Sequence, residues 1–548
     1  MAVGRTVKEI LQRAKTLKGE RGNWESWWQS LAKYCLPRKA EITEKKSSGT
    51  EFDADVYDST AVESANIFSA GLMGYMTNPA QPWFQLRARE EAVQEAEGVR
   101  EFFDQAAEVI HRTFHGSNFY DQLHEFYLEY GVFGTSGFYS EEDALDVVRY
   151  YARPIRELCF DEDERGRLQT VYRTFELTAQ QAHGRWGDAA GPSVAKLMKG
   201  KQDEQKLEFV QCVGPRGFYN PAKRDKINKP VYSIWIAVQD ARKIAEGGFE
   251  EQPFHIARAS KVAAEQHGYS PAMHVLPDIR MANKIAMVLI RASMKATDPP
   301  IMLPHDQYVM PLDFNPAAVN YRLNKVGAGS DEQVQFLDHK GNIPVGEERL
   351  LATQQTIKRG FFTDLFLLLA DRDKTMTAYE VSELMGERML ILGPLLGRLQ
   401  NELLEPVIVR TFNILARLGR LGKIPPALAE RGEYQVEYVS VLARAQQMSQ
   451  VKGITNFLLI TGEMAKLDPQ VLDKVNADEA LDRIAELSGI SPKMLHSDQV
   501  VAQKRAERKQ AQEAAAKLQM AQLVADAAKT GGEAAREIGA ATGGGEQA

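Results

Sequence analysis

The chain has 548 residues, 44% of them hydrophobic and 26% charged, with a formal net charge of -7. That length buries a sizeable core divided among several domains, and the composition is that of an ordinary water-soluble chain. The acidic balance excludes a protein that grips nucleic acid through its overall charge, so phosphate contact must come from local patches or stay loose. Cys35, Cys159 and Cys212 stand apart from one another, which argues against a structural zinc site or a disulfide framework. "MAVGRTVKEILQRAK" lacks the apolar core of a secretory signal, and the longest apolar run, Phe361 to Ala370, is about half of a membrane-spanning helix. No membrane association is expected.

Residues 6 to 36 predict two helices stopped at Pro37, with Trp24, Trp27, Trp28 and Leu31 at helical spacing as a core or interface stripe. After a polar stretch, "STAVESANIFSAGLMGYM" predicts a helix opened by a capping box of Thr60 with Glu63 and ending near Gly74. Two proline turns precede the strand-like "WFQLRA". Residues 97 to 130 are expected to be helical, with Phe102, Phe103, Ile110, Phe114, Phe119, Leu123 and Phe126 on the apolar side.

From 131 to 240 the pattern turns to short strands broken by glycine or charge. "DEDERG" has the opening of a calcium loop, but Arg165 occupies a ligand position, so it reads as a hairpin turn. A helix capped at Asp278 and stopped by Pro299-Pro300 is expected next, then a proline-dotted segment and a second helix around "GEERLLATQQTIKRG".

The apolar run Phe361 to Ala370 follows, then "DRDKTM". Thr377 and Glu380 form the capping box of a long helix carrying Val381, Leu384, Met385, Leu392, Leu396, Leu399, Leu403 and Val407. Gly393-Pro394 and Pro406 should kink it. The remainder reads as helical down to a glycine-rich tail expected to be disordered.

No catalytic constellation emerges. Gly200-Lys201 and Gly422-Lys423 lack the earlier glycine of a phosphate loop, Ser136 does not fit a nucleophile elbow, and "HEFYLEY" lacks the second histidine of a zinc protease. No enzyme activity, catalytic residue, metal site or cofactor is indicated. Arg280, Lys284, Arg291 and Lys295, spaced four, seven and four apart, instead run along one side of a helix for roughly 22 Å at 1.5 Å per residue. In a monomer this is a solvated face; repeated around a ring it becomes a stack of basic belts or of ion pairs between subunits.

Four stretches, "YDSTAVESANIFSAGLMGYMTNPAQPWFQL", "SPAMHVLPDIRMANKI", "GFFTDLFLLL" and "MTAYEVSELMGERMLILGPLLGRLQNELLEPVIVRTFNIL", in this order, resemble the portal (head-to-tail connector) proteins of short-tailed bacteriophages. The likeness covers most of residues 5 to 420. It implies an α+β, predominantly helical ring subunit with wing, stem, clip and crown regions, assembled as a dodecamer at one capsid vertex of the virion. The chain would be made in the host bacterial cytoplasm. Double-stranded DNA would pass through the ring without sequence-specific contact, and terminase, capsid and scaffolding proteins, and later tail adaptor proteins, would dock on it.

Carried onto this sequence, the wing spans 1–277, the first stem helix 278–297, the clip 298–343 and the second stem helix 344–360. An apolar anchor and tunnel loop follow over 361–376, a long kinked wing helix and its end over 377–438, a helical crown or barrel over 439–528 and the tail over 529–548. On that assignment the candidates for the DNA channel are Arg280, Lys284, Arg291, Lys295, Lys358 and Arg359. The tunnel loop is Asp371, Arg372, Asp373, Lys374, Thr375 and Met376. An oligomeric helical scaffold without a channel is the alternative, and a nuclease or ATPase would need a metal or phosphate site that the residues do not supply.

Overall fold

The structure is a computed structural model that describes residues 6–45, 56–297, 301–302, 335–336, 343–367, 392–488 and 500–522, apart from short breaks within them. Two compact units divide the chain, Met1–Ala443 and Arg444–Ala548. The architecture is α+β and predominantly helical, as the sequence predicts.

The larger unit opens with α1 (Val7–Glu20) and α2 (Gly22–Cys35). A capping box starts α1: Thr6 Oγ1 accepts from Glu9 N, and Thr6 N donates to Glu9 Oε2 at 2.8 Å. Helix α3 (Thr60–Met76) corrects one expectation, because Thr60 is its first residue and not its cap. Asp58 acts there instead, its Oδ1 accepting from Thr60 N at 2.8 Å while Oδ2 accepts from Gln354 Nε2 at 2.6 Å. A short α4 (Glu91–Gln94) leads to α5 (Val99–Gly116) and α6 (Phe119–Phe133), whose buried faces carry the seven apolar residues read from the sequence. Rings from these helices and the neighbouring strands, including Phe114, Phe119, Phe138 and Tyr150, pack edge-to-face or offset, the geometry aromatic quadrupoles favour.

Helix α6 ends at Gly134, whose φ of +71° needs no Cβ. A Cβ there would also sit 2.2 Å from Gly268 O, so two conditions fix glycine at this point.

The strands form two main antiparallel sheets. Strand β1 (Phe84–Ala88) lies apart; β2 (Thr135–Asp143) pairs with β3 (Val147–Arg153) on one side and β9 (Phe254–Arg258) on the other. The second sheet is a meander of β4 (Leu158–Glu162), β5 (Leu168–Thr178), β6 (Lys206–Pro215), β7 (Val231–Ala237) and β8 (Arg242–Phe249). "DEDERG" is the β4–β5 turn, where Asp163 Oδ1 accepts from Arg165 N and Arg167 N. Two helices absent from the sequence reading, α7 (Ala179–Trp186) and α8 (Pro192–Lys199), sit between β5 and β6 and cover Phe209 and Ala237.

After the small ladder of β10 (Ser260–Lys261) with β11 (Gly268–Tyr269) come α9 (Pro271–Thr297), the paired β12 (Ile301–Met302) and β13 (Gln335–Phe336), α10 (Ile343–Gly360) and α11 (Thr363–Leu367). Helical backbone over 392–399 widens into a π turn at Gln400–Leu404 and continues as α12 (Glu405–Arg417). The irregularity expected at Pro406 takes this form because proline has no N–H to donate and its ring crowds the carbonyl four residues back. Glu405 N accordingly donates five residues back, to Gln400 O. Beyond α13 (Pro426–Arg431), β14 (Tyr434–Tyr438) returns to pair antiparallel with β1, Phe84 opposite Tyr438. The second unit is helical where described, with α14 (Val441–Ala465) leading into it, α15 (Ala477–Ser488) and helical backbone over 500–515.

Candidate functional site: the basic face of a helical hairpin

Helices α9 and α10 form an antiparallel hairpin held by glycines at both ends. A Cβ on Gly346 would lie 2.7 Å from Leu289 Cδ2, and one on Gly360 would lie 2.2 Å from Val275 Cγ1. At both points an added side chain would force its neighbour to shift, which the Leu289 tip can do more readily than Val275.

The first helix of the pair begins seven residues earlier than the expected cap at Asp278. Ser270 Oγ accepts from Met273 N at 3.0 Å and donates to Val132 O at 2.7 Å, and Pro271 occupies the first turn. Ser-Pro is itself a strong start signal, because proline's missing N–H is unneeded there. Pro277, inside the helix, removes one donor without ending it.

Asn283 ties the hairpin to the rest of the unit, its Oδ1 accepting from Tyr57 N at 2.6 Å. Phe361 is fully buried, and Phe362 takes a left-handed φ of 57° that separates α10 from α11. Phe366 packs on Gly71 so closely that a Cβ there would sit 2.3 Å from its ring, and its ring centroid is 5.6 Å from that of Tyr75. The apolar run is thus an anchor as far as Phe366, whereas Leu367 is exposed. Residues 371–376, named as the tunnel loop, and the Thr377–Glu380 capping box lie outside the described residues. So does nearly all of the clip, whose β12–β13 ladder alone is described.

Arg280, Lys284, Arg291 and Lys295 are all exposed. None of the four makes an ion pair among the described residues. At about 100° per residue they occupy roughly 60° of arc, and Ala282, Ala286 and Leu289 fall on the opposite side, facing the core and α10. Exposed Val288 borders the stripe on one edge and exposed Ile290 and Met294 border it on the other. The sequence reading missed these flanks, because an apolar residue at helical spacing is indistinguishable from a core residue until the packing is known.

The hairpin does not bring all six channel candidates together. Thr353 and Ile357 are the buried face of α10, and Arg359 is exposed on the side turned away from it. Arg359 therefore points away from the stripe within one subunit. Lys358 is half-buried at the side of α10.

A second charged cluster, also unforeseen, is structural. Buried Arg258 on β9 pairs with Glu162 and, at 2.7 Å, with Glu402 in the π turn, and its backbone N donates to Glu402 Oε2 at 2.8 Å. Lys261 closes the set on Glu162 at 2.5 Å. Near it Arg410 of α12 lies buried, donating to Ser140 Oγ at 2.9 Å and to Glu251 Oε2 at 3.1 Å. Ser140 Oγ lies 3.2 Å from His255 Nε2, and burial, reinforced by Arg410, pushes that imidazole down to about 3.

Among the described residues no group of three or more His, Cys, Asp or Glu is placed to hold a metal, and no helix is long and apolar enough to cross a membrane. Against this geometry stand three sequence likenesses. A family model described as "Bacteriophage head to tail connecting protein" matches residues 7–495. The "Probable portal protein" of Bordetella phage BPP-1 is 30% identical over 534 residues, covering 96% of this chain and 95% of the relative. The "Portal protein" of Salmonella phage epsilon15 is 29% identical over 532 residues, with the same coverage of each chain.

Proposed function

Because the chain belongs to the bacteriophage head-to-tail connecting (portal) protein family, we propose that it forms a closed dodecameric ring at one capsid vertex, through which double-stranded DNA is packaged and ejected. On this reading α9 and α10 are the stem, 298–343 the clip and 371–376 the tunnel loop. The chain is made in the host bacterial cytoplasm and ends in the virion. Terminase, then tail adaptor proteins, dock at the clip, while capsid and scaffolding proteins meet the wing. Its role is structural rather than catalytic.

The observation that carries this reading is the cross-section of α9. A basic stripe faces away from the core, and apolar edges border it on both sides. In a ring each subunit presents two different edges to its two neighbours, so both flanks are covered and the stripe is left facing the hole. Exposed lysine and arginine, without an ion pair among the described residues, suit loose, sequence-independent phosphate contact, and a conduit must not hold its cargo tightly enough to stop sliding. Arg359 is then assigned to the outer side of the stem rather than to the channel.

The test is charge reversal of Arg280, Lys284, Arg291 and Lys295 together. Rings should still form, while the length of DNA packaged and retained per particle falls. Full-length, stably retained DNA would remove the stripe from the channel.

A further inference from the structure

Strand β3 ends with Tyr151 and Arg153 on one face, two residues apart. Tyr151 stands opposite Tyr139 of β2, but Arg153 stands opposite Gly137, which has no side chain to meet it. Leu158, at the start of β4, fills that space: a Cβ on Gly137 would lie 2.1 Å from Leu158 Cδ1. The Arg153 guanidinium lies over the two tyrosine rings instead, its carbon 4.3 Å from the Tyr151 centroid and 5.5 Å from that of Tyr139.

Stacking of this kind serves the flat face of a guanidinium and leaves its five in-plane N–H donors to find other partners. They have none here. Nε is buried without a hydrogen bond, and no hydrogen bond or ion pair holds the Arg153 side chain among the described residues, although part of the residue reaches the surface. Glu157, four residues on, is committed elsewhere, its Oε2 accepting from Arg173 Nε at 2.8 Å. Arg173 itself stands on β5 opposite Leu158. Burial, with Arg173 adding to it, pushes Arg153 down to about 10, so it is still charged near neutral pH. Two guanidinium groups thus share one carboxylate, and the cluster is one negative charge short. A purely structural clamp on the rings would gain from an acid beside Arg153, and a second arginine stands there instead.

We propose that Arg153 anchors an oxyanion site, taking a phosphate or carboxylate group edge-on to its guanidinium fork. A planar fork meets either group with two parallel N–H···O bonds. Tyr151 and Tyr139 set the tilt of the fork before the ligand arrives, so little side-chain freedom is lost on binding. Arg173 adds positive potential at the same place.

The experiment follows thermal unfolding of the full chain, wild type and Arg153→Gln, in sodium phosphate, acetate and chloride at one pH and one ionic strength. Phosphate, acetate or both should raise the unfolding temperature of wild type by about 1 °C at roughly ten times Kd, and leave Arg153→Gln unmoved. Which of the two salts acts assigns the ligand to phosphate groups or to carboxylates. In chloride the variant should match or exceed wild type, because it no longer carries a part-buried charge without a partner. No rise in either oxyanion, or equal rises in the two proteins, overturns the proposal. So does a variant less stable than wild type by the same margin in all three salts, which would make Arg153 a clamp on the rings. Should Arg153→Gln fail to fold, Arg153→Lys keeps the charge and the stem without the fork, and an undiminished response in that variant overturns the proposal as well.

Discussion

Leu289 on α9 lies against Gly346 on α10 so closely that a single added Cβ would come within 2.7 Å of Leu289 Cδ2. That contact sets the rotation of α9, because it places Leu289 inward and the Arg280 to Lys295 stripe on the opposite side. At the other end Gly360 meets Val275, a β-branched side chain with little rotamer freedom to yield.

Gly360→Ala should accordingly destabilise the hairpin by about 1–3 kcal/mol, the usual cost of overpacking, whereas Gly346→Ala should cost less because a leucine tip can move. Urea unfolding of both variants checks the ranking. Equal, near-zero costs would mean that the helices are not in contact at Gly360.

Glu402 should matter more than its place in a helix suggests. Removing it leaves the buried Arg258 with Glu162 as its remaining acid among the described residues, and the loss of a buried charge's partner costs about 3 kcal/mol. Glu402→Ala is expected to lower the unfolding free energy by that amount in urea unfolding, and Glu405→Ala, one residue beyond the π turn, by far less. Similar effects from the two would show that the network is not holding the π turn to β9.

Acid should unfold the protein partly through two imidazoles. His255 and His267 are both pushed down to about 3 by burial, the first with help from Arg410 and the second from Arg21 and Arg258. An unfolded histidine titrates near about 6.5, so between these values the unfolded chain takes up protons that the folded chain refuses. Stability therefore falls as pH drops from about 6.5 towards 3, by about 1.4 kcal/mol per pH unit for each ring. His255→Asn should lose stability less steeply than wild type over that window, by about one ring's share, when unfolding is followed at a series of pH values. Parallel curves would mean that His255 is protonated in the folded state.

Arg372 and Lys374 are the two cations of the proposed tunnel loop. Replacing both with alanine should leave rings intact and reduce the amount of DNA held in assembled particles. Rings that fail to form would make the segment structural, and full, stable retention would remove it from the path of the DNA.

Much of this organisation was legible beforehand because its signals are local. The Thr6–Glu9 capping box has a partner three residues away, the apolar faces of α5 and α6 follow one helical period, and "DEDERG" carries its own turn chemistry. What was missed depends on distant partners. Asp58 displaced the Thr60 capping box because it also answers Gln354, nearly three hundred residues away. Strand β14 was not foreseen because its partner β1 lies at the other end of the unit. The start of α9 was readable at Ser270-Pro271, but Asp278 after Pro277 carried a similar signal, and only the bond to Val132 O separates them.

For the stripe, the sequence supplied the four basic positions and not their direction. Direction came from which side of α9 is buried, and the buried face of α10, Thr353 and Ile357, turned Arg359 away from it.

An electron cryo-microscopy map of the purified, assembled protein would show directly which way the α9 stripe faces. Closed rings of about twelve subunits are expected, with a hole that admits duplex DNA. Arg280, Lys284, Arg291 and Lys295 should line that hole, with Val288 on one edge of α9 and Ile290 and Met294 on the other buried against neighbours. A ring with the four side chains on its outer surface, or an assembly with no through-channel, would contradict that expectation.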